Sequence, residues 1–84
     1  MKQVDPEAAF FEINTEVQTM ERAIAISVKD AKEIINLLGN EHILQEYSPA
    51  DLFRLYQLRT NLTALVALDE KRLMVLEARR AING

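Results

Sequence analysis

Four consecutive charged residues interrupt the apolar stretch ALVALDEKRLMVLEARR at residues 64–80, and they are Asp69, Glu70, Lys71 and Arg72. In an α-helix these four side chains point in four directions, because one turn takes 3.6 residues. Most of the block is therefore predicted to be the solvated side of a helix. Asp69 alone falls in an apolar row, between Val66 and Leu73. A polar residue in such a row can fix helix register or oligomeric state at a cost in stability, so Asp69 is a candidate specificity residue.

A carboxylate buried without a partner costs several kcal/mol, so Asp69 is expected to meet a base. Across an antiparallel helix pair its neighbours would lie around Met20 to Ile24, where Arg22 is the base that the sequence offers. Because Asp69→Leu would complete the apolar row, the sequence predicts that this change raises Tm and loosens the choice of oligomer.

Basic residues close to the end of the chain form the second candidate site, for phosphate or an acidic partner: Lys71, Arg72, Arg79 and Arg80. The alternative is intramolecular pairing with the acidic start of the chain, at Glu7, Glu12 and Glu16. The net charge of −3 disfavours nucleic acid as a partner, because nucleic-acid binders normally present a basic surface. A nucleic-acid-associated regulator is therefore the least favoured of three hypotheses for the function, after an interaction module and a subunit or chaperone of a larger assembly.

Other chemistry-bearing patterns are sparse. His42 is the single histidine and the chain has no cysteine, so the usual zinc ligands are missing. Glu12 and Glu16 lie one helical turn apart, but no Glu-x-x-His motif accompanies them. Two glycines do not build a phosphate-binding loop. The sequence predicts no catalytic residue, metal site or cofactor site, and thus a non-enzymatic protein.

The elements that position these residues are predicted to be two helices. Asp5-Pro6-Glu7 and Ser48-Pro49 are typical helix starts, and Gly39 follows an apolar run as a helix end does. Apolar residues recur every three or four positions between these points. We therefore predict an all-α fold, a single domain over residues 1–84, with helices at about 5–38 and 49–82. The short connection favours an antiparallel two-helix hairpin.

The predicted helices carry more apolar rows than one hairpin can bury. The main row of the first helix is interrupted at the polar Ser27, and Met20 and Met74 are interpreted as core residues. The main row of the second helix consists of Leu55, Leu58, Leu62, Val66, Asp69, Leu73 and Leu76. A second row predicts a partner interface: Phe53, Tyr56, Leu68, Val75 and Ile82, with Phe11 on the first helix. Large exposed apolar patches mark interaction surfaces. The simplest partner is a second copy, giving a homodimer built as a four-helix bundle.

The stretch SPADLFRLYQLRTNL, at residues 48–62, resembles the opening of the second helix in type III secretion needle and inner-rod subunits. Those subunits are short helical hairpins, so the resemblance implies the same fold. It departs from their pattern afterwards, where TALVALDEKRLMVLEARR replaces a polar continuation rich in Asn and Tyr. The resemblance supports one alternative function, a subunit or small chaperone of a secretion or other macromolecular assembly.

The location predicted from sequence is the cytoplasm. The first residues lack the apolar segment of a signal peptide, no apolar run approaches 18 residues, and the absence of cysteine fits a reducing compartment. No membrane partner is expected. The favoured function is a protein–protein interaction module of the adaptor, antagonist or regulator kind found in bacteria and phages.

Overall fold

Four helices make up the computed structural model, which describes residues 5–83 together with all their side chains except those of Pro6, Ile82 and Asn83. They are α1 (Pro6–Ile24), α2 (Val28–Leu38), α3 (Glu41–Leu44) and α4 (Pro49–Asn83). No strand occurs among residues 5–83, so the all-α prediction is confirmed. No helix in this described range contains a stretch long and apolar enough to cross a membrane.

Both predicted helix starts are confirmed. The Asp5 carboxylate accepts a hydrogen bond from the Glu7 amide at 3.1 Å, with Pro6 in the first turn. At α4 the Ser48 hydroxyl accepts from the Asp51 amide at 3.3 Å and donates to the Asp51 carboxylate at 3.0 Å. Side chains of this kind satisfy the first amides of a helix, which have no partner within it. The 35 residues of α4 account for the longest dimension of the molecule, 51 Å.

The prediction of one unbroken helix over 5–38 is wrong. Ala25 adopts left-handed backbone angles (φ 56°, ψ 34°), and the Ile26 amide donates back to the Glu21 carbonyl at 3.1 Å. Ser27 then caps α2, because its hydroxyl accepts from the Asp30 amide at 3.2 Å. The Glu21 carboxylate accepts from the Val28 amide at 2.9 Å and so ties the two helices together. Ser27 is therefore a helix start and does not interrupt a continuous row.

The left-handed residue at this break leads to a stability prediction. A non-glycine residue in this conformation costs about 1–2 kcal/mol, whereas glycine adopts it freely. Part of the gain from Ala25→Gly is lost because glycine also gives the unfolded chain more freedom. We expect Ala25→Gly to raise the free energy of unfolding by about 0.5–1 kcal/mol in urea denaturation. Ala23→Gly, two residues earlier within α1, should lower it by a similar amount. A loss of stability with Ala25→Gly would contradict the described backbone.

The core forms where α1 and α2 both pack against α4. Its buried members are Val17, Val28, Ala31, Leu62 and Leu65. Contacts from Glu7 to Arg79 and from Asn14 to Arg72 run in opposite order along α1 and α4, as they do between antiparallel helices. The described fold is thus one long helix with two shorter helices packed on it, joined to α4 through the short α3.

The buried row of α4 differs from the predicted one. Leu65 is fully buried although neither predicted row included it, and Leu73, assigned to the main row, is 46% exposed. Met74, interpreted as a core residue, is 69% exposed. The row that faces α1 and α2 keeps Leu62 and Asp69 of the predicted row and also contains Leu65 and Arg72. A heptad row drifts by about 20° per repeat around a straight helix, so the spacing alone admits either row.

Candidate functional site

Asp69 lies on the side of α4 that faces α1 and α2. It is 5% exposed, and its carboxylate accepts a hydrogen bond from the Arg72 guanidinium one turn further along α4. Arg72 also donates to the Asn14 side-chain oxygen on α1 at 2.8 Å. Lys32 on α2 brings its ammonium to 3.9 Å from the second Asp69 oxygen. Among the described residues no buried side-chain polar atom lacks a hydrogen-bond partner.

The structure gives Asp69 basic partners, but Arg22 is not among them, so that pairing was predicted wrongly. Arg22 is exposed and lies in the last turn of α1, just before the break at Ala25. Because α1 ends at this break, a base reaches Asp69 from the first turns of α2, at Lys32. The Arg72 side chain points towards α1. The resulting cluster of Asn14, Lys32, Asp69 and Arg72 connects α1, α2 and α4. The two hydrogen bonds of Arg72 are directional and connect α1 with α4, whereas Lys32 adds a longer, partly solvated ion pair from α2.

The four basic residues near the end of α4 do not form one surface. Arg72 is directed towards α1, as described above. Arg79 is half-buried, with its Nε 3.8 Å from the Glu7 carboxylate and its guanidinium 5.4 Å from the centre of the Phe10 ring. Lys71 and Arg80 are exposed and, at 100° per residue, lie on opposite sides of α4. Of the predicted ion pairs between the acidic start of α1 and the basic end of α4, the one at Glu7 forms, with Arg79. Glu12 and Glu16 make no ion pair among residues 5–83.

The side chains that commonly bind metal ions do not gather into one site within the described range. His42 is exposed in α3, and its backbone amide donates to the Asn40 side chain that starts this helix. Residues 5–83 contain no group of three or more His, Asp or Glu side chains placed to hold a metal ion.

The side of α4 that faces away from α1 and α2 carries a continuous exposed row with three- and four-residue spacing. We call it the α4 outer face, and it consists of Phe53, Tyr56, Thr60, Thr63, Ala67, Lys71, Met74, Ala78 and Ala81. All nine are exposed, with Phe53 at 64% and Met74 at 69%. Lys71 is its one charged member. The row extends about 42 Å at 1.5 Å per residue. A solvated helix face normally carries more charge than this.

The residues predicted to form the partner interface do not lie on one surface. Phe53 and Tyr56 lie on the α4 outer face, whereas Leu68 and Val75 are half-buried, with Leu68 packed against the core. Phe11 is 71% exposed but belongs to α1. The Ile82 side chain lies outside the described residues. Sequence reasoning missed Thr60 and Ala67 of the outer face because it searched for strongly apolar residues, and it assigned Met74 to the core. The signal that could have identified this face is its three- and four-residue spacing, which continues through small and weakly polar residues.

A small open depression on the α4 outer face has the shape that receives a side chain from another helix. Its lining consists of Tyr56, Arg59, Thr60 and Thr63. These residues occupy positions i, i+3, i+4 and i+7, which are the four corners of a hole in knobs-into-holes packing. The outer face therefore has both protruding side chains and a recess between them.

No protein-family model, curated protein or solved structure matches this chain.

Proposed function

We propose that the chain is a non-enzymatic protein–protein interaction module that acts as a homodimer through its helical surfaces. The observation that supports this is the α4 outer face, an uncovered row with two aromatic residues, a methionine and a single charge. Large exposed apolar side chains grouped on one helix face often mark a binding surface. An adaptor, antagonist or regulator working in the cytoplasm fits such a surface and the cysteine-free sequence.

Burial of the α4 outer face between copies would add apolar burial to a chain of 84 residues. A domain of this size buries a limited share of its surface alone and has a modest margin of stability. A dimer with one α4 against another, and with α1 and α2 of each copy outside, would extend the core. The nucleic-acid alternative has less support, because Arg72 and Arg79 already contact α1.

The test is the oligomeric state of matched aromatic variants. We expect the unaltered chain to have a dimer mass in light scattering at micromolar concentration and a Tm that rises with concentration. Tyr56→Glu should convert it to a monomer, because it replaces a large side chain of the face with a charge. Phe11→Glu, at an even more exposed aromatic residue on α1, should leave the dimer intact. A monomeric unaltered chain would refute self-association. It would favour the alternative, a subunit or small chaperone whose outer face binds a different chain of an assembly.

A further inference from the structure

We infer that the α4 outer face binds the same face of a second copy in antiparallel orientation, with the twofold axis beside Ala67. This inference rests on the proposed self-association and adds its orientation and register. In such a pair Ala67 faces Ala67 of the other copy. Moving outwards from this centre, Thr63 faces Lys71, Thr60 faces Met74, Tyr56 faces Ala78, and Phe53 faces Ala81. All of these residues are exposed in the single chain.

The sizes of the side chains favour this orientation. The two aromatic residues lie near the start of the face, whereas Ala78 and Ala81 lie at its end. Antiparallel pairing puts one large and one small residue at each outer level, so the two helices can keep a uniform separation within the usual 8–10 Å. Parallel pairing would put aromatic against aromatic at one end and alanine against alanine at the other. The helices would then have to diverge or leave gaps.

The open depression on the face supports the same register. Its four lining residues, Tyr56 to Thr63, are centred at the level of Thr60. In the proposed pair the residue at this level from the other copy is Met74, which protrudes with 69% exposure. Methionine is unbranched and adapts readily to an irregular recess. The twofold axis repeats this contact, so each copy contributes one methionine and one recess.

Charges beside the face distinguish the two orientations. Arg59 and Glu77 are exposed and lie at the same angle around α4. An antiparallel twofold puts residues of the same flank together, so Arg59 of each copy lies beside Glu77 of the other. A parallel pair would bring Arg59 to the opposite flank, whose residues at that level are the uncharged Gln57, Asn61 and Ala64. It would also put the two Lys71 ammonium groups at one level, whereas the antiparallel pair separates them by about 12 Å.

The test uses single cysteines, because the natural chain has none. A disulfide requires the two Cα atoms to lie within about 4.4–6.8 Å, so it reports which residues face each other. Under mild oxidation Ala67→Cys should cross-link to itself. Thr60→Cys and Met74→Cys should each remain uncross-linked alone but should cross-link with each other when mixed. Glu33→Cys, exposed on α2, is the control for random collisions and should not cross-link. Self-cross-linking of Thr60→Cys and Met74→Cys would overturn the inference in favour of a parallel pair.

A charge exchange provides a test without disulfides. Arg59→Glu should weaken the dimer about tenfold in its dissociation constant, because it removes two ion pairs and puts like charges together. Adding Glu77→Arg should restore the affinity. Light scattering on the unaltered chain distinguishes a wrong register from an absence of self-association. A dimer without the expected cross-links and without charge rescue overturns the register alone, whereas a monomer overturns the proposed self-association as well.

Discussion

Leu65→Ala is expected to lower the free energy of unfolding by about 3 kcal/mol, because it removes buried methyl groups and leaves a cavity in the core. Leu65 is fully buried among Val17, Val28, Ala31 and Leu62. Domains of this size have a total stability of only about 4–12 kcal/mol, so the loss should be evident as a large shift of the urea midpoint. The measurement is far-UV circular dichroism during denaturation at one fixed protein concentration.

Leu73→Ala is the matched control for this prediction. The same substitution at Leu73, which is 46% exposed, should cost less than about 1 kcal/mol. The comparison is informative because the apolar spacing of the sequence put Leu73 in the core row and left Leu65 out of it. If Leu73→Ala proves more costly than Leu65→Ala, then α4 turns Leu73 and not Leu65 towards α1 and α2. A different row of side chains would then form its outer face.

Asp69→Leu is the second substitution with a large expected effect. From the sequence alone this change was predicted to raise Tm, since it completes an apolar row. The structure reverses that expectation, because Arg72 would keep its half-buried guanidinium and lose the carboxylate that it contacts. Removing one member of a buried ion pair costs up to about 3–5 kcal/mol, and less where a partner is partly exposed. With the Arg72 side chain 24% exposed, we expect a loss of about 1–3 kcal/mol in urea denaturation.

Replacing the buried and half-buried members of the polar cluster, and leaving the exposed Lys32, separates the cost of an unpaired charge from the value of the carboxylate. The triple variant Asn14→Leu, Asp69→Leu and Arg72→Leu should recover most of the stability, since apolar residues can substitute for a complete buried ion pair. Glu70→Leu, at the exposed neighbouring position, should change the free energy of unfolding by less than about 0.5 kcal/mol. A higher Tm for Asp69→Leu alone would contradict the proposed importance of the Arg72 contact. Light scattering on the triple variant would show whether the polar cluster also restricts the oligomeric state.

Local chemistry explains why several boundaries were predictable from sequence. Asp5-Pro6 and Ser48-Pro49 start helices because a side-chain acceptor and a fixed proline φ act within one turn, whatever the rest of the chain does. The end of the second helix was predicted at about 82, and α4 ends at Asn83. The break at Ala25 had a local signal too, because Ser27 precedes Asp30 at capping-box spacing. The break was missed because Ser27 fits both an apolar row and a helix cap, and it was assigned to the row.

The sequence by itself determined the helical fold class, the capped starts of α1 and α4, and the need of Asp69 for a basic partner. Tertiary structure decided which base that partner is and which edge of the main row of α4 is buried. Leu65 and Leu73 lie about 40° to either side of Asp69 around the helix, so spacing does not rank them. The turn at Ala25 lets both α1 and α2 pack against α4, and this packing buries Leu65 and leaves Leu73 exposed.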